Sequence, residues 1–145
     1  MGRVLSITTA PSDAADLVEH DTVTLVAGRS GGILGDRHLG RRRAVTVVCT
    51  GELERAATSH GVPAIDAVAT RRNIVVDLDE LPRRHGTRFT IGATTLEVWR
   101  DCAPCSLMDE FFGDGARVAL AQRCGISASV VVGGDIRVGD EITVG

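Results

Sequence analysis

Lysine is absent from this 145-residue chain, and all 16 of its basic residues are arginine. With no side-chain amine to form a Schiff base, the usual pyridoxal-phosphate catalysis is excluded and no such cofactor is expected. Long apolar runs are also missing. No segment approaches the ~20 apolar residues that span a bilayer, and the N-terminus turns polar through Thr8, Thr9, Ser12 and Asp13 before an export signal is complete. The expectation is a cytoplasmic protein with no membrane partner, whose four cysteines, Cys49, Cys102, Cys105 and Cys124, are reduced thiols and not a disulfide framework. Internal repeats and low-complexity stretches are lacking, as are an iron-sulfur spacing and a dinucleotide fingerprint. A net charge of -3 gives no general attraction to nucleic acid.

What is present suits a globular protein: 43% hydrophobic and 24% charged residues, enough for one domain, residues 1–145, around one core. Short β-branched or apolar runs predict strands at Val4–Ile7, Val23–Val26, Ala44–Cys49 and Asn73–Val76, the third largely buried and the first two separated by a loop or short helix. A helix is predicted over Glu52–Ser59, capped by Thr50, with Glu52 and Glu54 at the positive end of its dipole and Gly61 and Pro63 ending it. Arg88–Ile91, the Gly92-Ala93 turn and Thr94–Trp99 form a hairpin. Two short helices follow, Ser106–Phe112 and Ala116–Arg123, the second ended by Gly125. Strands at Ser127–Val132, Ile136–Val138 and Glu141–Val144, joined by Gly-Gly-Asp and Gly-Asp turns, read as a terminal meander. The fold class is α+β and strand-rich, a curled sheet or barrel with short inserted helices.

The sharpest chemical feature is Cys102-Ala103-Pro104-Cys105, where a strand end runs into a predicted helix start. Pro104 fits a first helical turn, which sets Cys105 where terminal N–H groups stabilise a thiolate, with Arg100 assisting. Isolated cysteines are more often core residues, and Cys49 and Cys124 are read that way. A pair two residues apart beside a turn is poor core filler. Structural zinc wants four ligands and finds one pair. Thiol-disulfide exchange is the stronger rival, since a tryptophan before C-x-P-C at a helix start suits an oxidoreductase. In that fold, however, the dithiol comes early, and here it comes late with strands behind it.

The second feature is the glycine-rich run Gly31–Gly40, containing Asp36, Arg37 and His38, with Arg41, Arg42 and Arg43 after it and Arg71-Arg72 further on. Glycines admit close backbone approach to an anion, and guanidinium forks suit phosphate. Glycines also mark ordinary turns, and arginine runs ordinary solvated faces.

Taken in order, Gly35-Asp36-Arg37-His38, Arg43-x-Val45-Thr46, Arg71-Arg72-Asn73-Ile74, the Gly86–Gly92 segment, Cys102-x-Pro104-Cys105 and Gly133-Gly134-x-Ile136-x-Val138-Gly139-Asp140 resemble the MOSC domain, named for the C-terminal part of molybdenum cofactor sulfurase. The resemblance implies a β-barrel-like core and a cleft for the molybdenum cofactor, molybdopterin. It implies Cys105 as metal ligand and catalytic thiol, with Cys102 second. Asp36, Arg37, His38, Arg43, Arg72 and Asn73 become the implied cofactor contacts. Some relatives reduce N-hydroxylated compounds with electrons from separate flavin or iron-sulfur proteins. A persulfide carrier supplied by a cysteine desulfurase, a cofactor-binding module without turnover, and a thiol-disulfide exchanger are the alternatives.

Overall fold

The computed structural model describes residues 2–41, 44–103, 109 and 112–144. Its strands are β1 (Gly2–Thr9), β2 (Val18–His20), β3 (Thr22–Val26), β4 (Gly32–Ile33), β5 (Val45–Cys49), β6 (Ile74–Val76), β7 (Arg88–Ile91), β8 (Thr94–Asp101), β9 (Ile126–Val132), β10 (Gly134–Arg137) and β11 (Glu141–Val144). Helix α1 spans Thr50–His60 and the short α2 spans Ala116–Ala119. Seven strands close a barrel in the order β1-β11-β7-β8-β9-β5-β6 and back to β1, where β2 adds an outer strand. A separate three-stranded sheet places β3 between β10 and β4.

One pairing in the barrel, β5 with β6, is parallel. Parallel neighbours need a crossover, and residues 50–73 supply it with α1. That is why β5 is buried at every position. Val45, Val47 and Cys49 point into the barrel with Phe89, Leu96 and Ile126, while Val48 faces outward onto Leu53, Ala56 and Leu120. Each such side chain contributes about 1.5–3 kcal/mol when fully buried.

Helix α1 begins without the predicted cap. Cys49 occupies the capping position with no side-chain hydrogen bond, and Thr50 is already helical. The helix grows directly off β5, and a neighbouring chain provides the partners instead: the Gly51 N–H donates to the Leu78 carbonyl at 2.9 Å. A Cβ on Gly51 would lie 2.5 Å from the Asp79 Cα, so only glycine permits that approach. Glu52, expected to serve the helix dipole, is instead buried, accepting the Leu81 N–H at 3.0 Å and pairing with Arg83. Gly61 ends the helix as predicted, left-handed at φ 76°, with the Val62 N–H returning to the Ala57 carbonyl.

The hairpin β7–β8 forms as expected, with Phe89 opposite Leu96 and Ile91 opposite Thr94. Two expectations fail. The stretch between β1 and β3 contains a strand, β2. The terminal strands are no meander either: β10 leaves the barrel to pair with β3, and β11 returns to pair with β7 and β1. Alternation fixes strand faces, not partners, and the departure is set at Gly133, where a Cβ would come within 2.6 Å of the Leu25 carbonyl. The predicted helix Ser106–Phe112 lies mostly outside the described residues. The next helix ends at Ala119, and turns carry the chain on to Gly125. Among the described residues, no helix is long and apolar enough to cross a membrane.

Candidate functional site

A cleft of about 510 Å³ opens where β5, the ends of β8 and β9, and the 34–41 and 71–73 segments meet. Its walls include His38, Arg41, Arg72, Arg100, Asp101 and Cys102, with Thr46 and Ser127 on the strands beneath. Residues far apart in sequence are thus collected around one thiol.

The 71–73 segment is set by local strain. Arg71 is a non-glycine residue at φ 61°, held there as its guanidinium donates to the carbonyls of Asp13 and Ala15. Arg72 reaches toward the β8–β9 ends. Its Nε–H donates to the Cys124 carbonyl at 2.7 Å, and Nη2 reaches the Cys124 Sγ at 3.3 Å and the Ala103 carbonyl at 3.4 Å. Asn73 is buried: its Oδ1 accepts the Thr46 N–H and hydroxyl, both at 3.0 Å, and its Nδ2 donates to the Thr8 carbonyl. It ties β5 to β1 and positions Thr46 and Arg72.

The 34–41 segment is anchored by Asp36, whose buried carboxylate accepts the N–H groups of Ala10 at 3.1 Å and His38 at 3.2 Å. The backbone N–H groups of Leu34, Asp36, Arg37, Leu39, Gly40 and Arg41 all donate to carbonyls within the protein. The glycine-rich segment therefore offers the cleft side chains more than amides. Arg37 turns away from the cleft to pair with Asp13 at 3.0 Å. Burial, and then Arg37 and Arg41, hold the His38 imidazole below the usual histidine range, so it is neutral at pH 7. Its Nδ1 is buried without a hydrogen-bond partner among the described residues.

Cys102 sits at the β8 end, its N–H donating to the Gly125 carbonyl at 2.9 Å. Burial pushes its thiol up to about 11, although Arg72 and Arg100 pull the other way. At neutral pH that keeps it a protonated thiol. Cys49 is pushed up to about 12 by burial inside the barrel, in keeping with its reading as a core residue. Cys124 is equally buried, yet its sulfur touches Arg72, which the reading of an inert core thiol missed. Arg41 and Arg100, noticed in the sequence only as parts of a run or as an aid to the thiol, form no hydrogen bond or ion pair through their guanidinium groups among the described residues.

Of the nominated residues, the structure brings His38, Arg72 and Cys102 to the cleft, with Asp36 and Asn73 behind them and Arg37 to one side. Cys105, Pro104 and Arg43 lie outside the described residues. Among the described residues, no three His, Cys, Asp or Glu side chains converge as a metal cage. A larger hollow, about 830 Å³, lies between α1 and residues 115–123, and no nominated residue lines it.

The family model of the MOSC domain matches residues 35–143, most of the chain, and the chain belongs to that family. In fold it is similar to YuaD from Bacillus subtilis, with a TM-score of 0.81 and 22% identity over 98% of this chain and 94% of that one. It is similar also to YiiM from Geobacillus stearothermophilus, with a TM-score of 0.68 and 17% identity over 100% of this chain and 75% of that one. For YiiM from Escherichia coli the TM-score is 0.67 and the identity 18%, over 99% and 69%. No curated protein sequence matches the chain.

Proposed function

We propose that this MOSC domain binds a molybdopterin-type cofactor in the cleft around Cys102. The observation that supports it is that three arginines, Arg41, Arg72 and Arg100, border one cleft together with a thiol. Arginine forks match the geometry of a phosphate monoester, and soft sulfur suits a metal already held by dithiolene sulfur. The donor set therefore fits the group. Cys105 is the metal ligand of this reading on sequence grounds, with Cys102 second.

Bound there, the group supplies a redox-active metal centre at which an oxygen or sulfur atom is exchanged, including reduction of N-hydroxylated compounds with electrons from separate flavin or iron-sulfur proteins. The chain's part is to hold and orient it. Arg72, fixed by the Cys124 carbonyl, offers its remaining face to the phosphate, and Arg41 and Arg100 add charge at the rim. His38, neutral at pH 7, can accept a proton from the solvent side or return one to the cleft. Asn73 and Asp36 keep the segments carrying Arg72 and His38 in place.

The test uses protein from a host that makes the cofactor. Molybdenum by elemental analysis and the fluorescence of released, oxidised pterin are measured on wild type, Arg72→Gln and Cys105→Ala. Stoichiometric pterin and metal in wild type, pterin loss in Arg72→Gln and metal loss in Cys105→Ala are expected. Wild type without pterin, or an Arg72→Gln protein loaded like wild type, overturns the reading.

A persulfide carrier is the second reading, and Arg72's contact with a second sulfur, Cys124, beside Cys102 favours it. There a thiol in the cleft accepts sulfur from a cysteine desulfurase and passes it on. Mass spectrometry that finds a persulfide on metal-free protein selects it.

A further inference from the structure

We infer that Cys102 and Cys124 form a dithiol site that reacts with small disulfides, Cys102 receiving the attack from the cleft and Cys124 closing an intramolecular disulfide beneath it. The inference goes beyond cofactor binding and stands on metal-free protein.

The geometry begins with the β8–β9 ladder. Asp101 is in register with Ile126, and the next rung is the Cys102 N–H donating to the Gly125 carbonyl at 2.9 Å. Cys102 and Cys124 are therefore one step off direct opposition on adjacent chains. Paired chains lie about 5 Å apart, and the Arg72 nitrogen shared by the Cys124 sulfur and the Ala103 carbonyl holds the two cysteines at this end of the ladder, in the neighbourhood of the ~4.4–6.8 Å Cα separation that disulfides take.

In a regular ladder, alternation would send the two side chains to opposite faces. It does not apply here, because Gly125 stands at φ 93° and breaks the extended backbone between Cys124 and β9. A Cβ on Gly125 would lie 2.3 Å from the Val47 carbonyl, so the turn is pressed against β5 and Cys124 is delivered from below. Its side chain belongs to the apolar cluster under α1, yet its sulfur meets at 3.3 Å the Arg72 nitrogen that also reaches the carbonyl of Ala103, next to Cys102, at 3.4 Å, which sets it just behind the cleft wall. The two thiols also interact electrostatically, which agrees with that placement.

Their environments differ in the way a two-step exchange requires. Cys102 is partly exposed and lines the cleft, whereas Cys124 is fully buried among apolar residues. Cys102 loses its proton to solvent and its sulfur attacks one sulfur of a small disulfide, expelling one small thiolate and leaving a mixed disulfide. Cys124 then gives up its proton and attacks the Cys102 sulfur, expelling the second small thiolate. The protein loses two electrons and two protons, and the small disulfide gains them as two thiols. The new bond withdraws Cys102 from the cleft and takes the Cys124 sulfur from Arg72, so the closed form lacks the cleft thiol.

The experiment treats metal-free full-length protein with excess oxidised glutathione, blocks remaining thiols by alkylation and maps tryptic peptides by mass spectrometry. Cleavage after Arg100, Arg117 and Arg123 separates the peptide containing Cys102 from the one beginning at Cys124. The expected product links these two peptides, in wild type and in Cys105→Ser alike. Cys124→Ser is expected to stop at a glutathione adduct on Cys102, with release of the second glutathione slowed at least about tenfold. A link between Cys102 and Cys105, a link that disappears in Cys105→Ser, or no link in any variant overturns the inference. Because pterin plays no part in this readout, failure here leaves the cofactor reading untouched, and failure of pterin loading leaves this one untouched.

Discussion

The hollow under α1 and the cleft around Cys102 differ in how their charges are partnered. In the larger one, Arg83 grips Glu52 and reaches on to Asp101 at 3.0 Å, Arg55 donates to the Asp79 carbonyl, and Arg123 donates to the Ser59 hydroxyl at 2.8 Å. In the smaller one, the exposed guanidiniums of Arg41 and Arg100 make no hydrogen bond or ion pair among the described residues, the His38 Nδ1 has no hydrogen bond there and lies 3.7 Å from the Asp36 carboxylate, and Arg72 is held chiefly by backbone. Mutual pairing is what a surface does for its own stability. Solvent-facing guanidiniums beside a thiol stay available to an anion, which is why the binding site is proposed at the smaller hollow and not at the larger.

The sharpest way to break that contrast is to remove Arg83. Its loss strands the nearly buried Glu52 carboxylate, and Arg83→Met should lower stability by about 3 kcal/mol, at the low end for a buried pair because Arg83 itself is partly exposed. Urea unfolding measures it, and pterin loading should fall less than in a variant behind the smaller hollow, since Arg83 reaches that cleft through its ion pair with Asp101. Asn73→Ala, behind the smaller hollow, should lower stability by about 2 kcal/mol, since it orphans the buried Thr46 N–H and the Thr8 carbonyl. It should also reduce pterin loading more than Arg83→Met does, because Arg72 follows Asn73. Equal loading in the two variants would erase the distinction between the hollows.

The barrel was legible because burial imposes a pattern on each strand. Continuous burial of Val45–Cys49 and the Arg88–Trp99 hairpin follow directly from side-chain period and turn chemistry. The strand β2, Val18–His20, is edge-exposed and carries no such pattern, and the partner exchange of β10 is decided by one close approach at Gly133. In the cleft, Arg72, His38 and Cys102 were visible as chemistry in motifs. Cys124 was not, because nothing local says that a buried thiol ends against a guanidinium supplied from a residue 52 positions away. The reading of glycines as an amide cradle met a backbone whose N–H groups are nearly all engaged internally.

The thiols sharpen the comparison further. Cys49 and Cys102 are both protonated at pH 7, for the same reason, but only Cys102 faces a hollow. Alkylation by iodoacetamide requires the thiolate. The rate at Cys102 should rise about tenfold per pH unit from neutrality toward about 11, where the thiol is half ionised, while Cys49 stays unmodified in the folded protein. Because both thiols are raised above the ordinary cysteine range, the folded state holds their protons more tightly than the unfolded chain does. Stability from this source is complete at neutral pH and is lost as pH climbs past about 9 toward 11 and 12. Denaturant midpoints at pH 8 and pH 10 should differ in that direction.

The smallest effect separates the two arginines that act on Cys102. Both pull its thiol toward ionisation, Arg72 more than Arg100. Arg72 is pinned by three contacts to the chains flanking the thiol, whereas Arg100 is exposed and its charge is screened by water. Arg100→Gln should therefore change stability by no more than about 0.5 kcal/mol and shift the pH profile of Cys102 alkylation upward by less than Arg72→Gln does. If the exposed arginine moved that profile more than the pinned one, the cleft's electrostatics would be governed from its rim, and Arg72's contacts would matter for architecture alone.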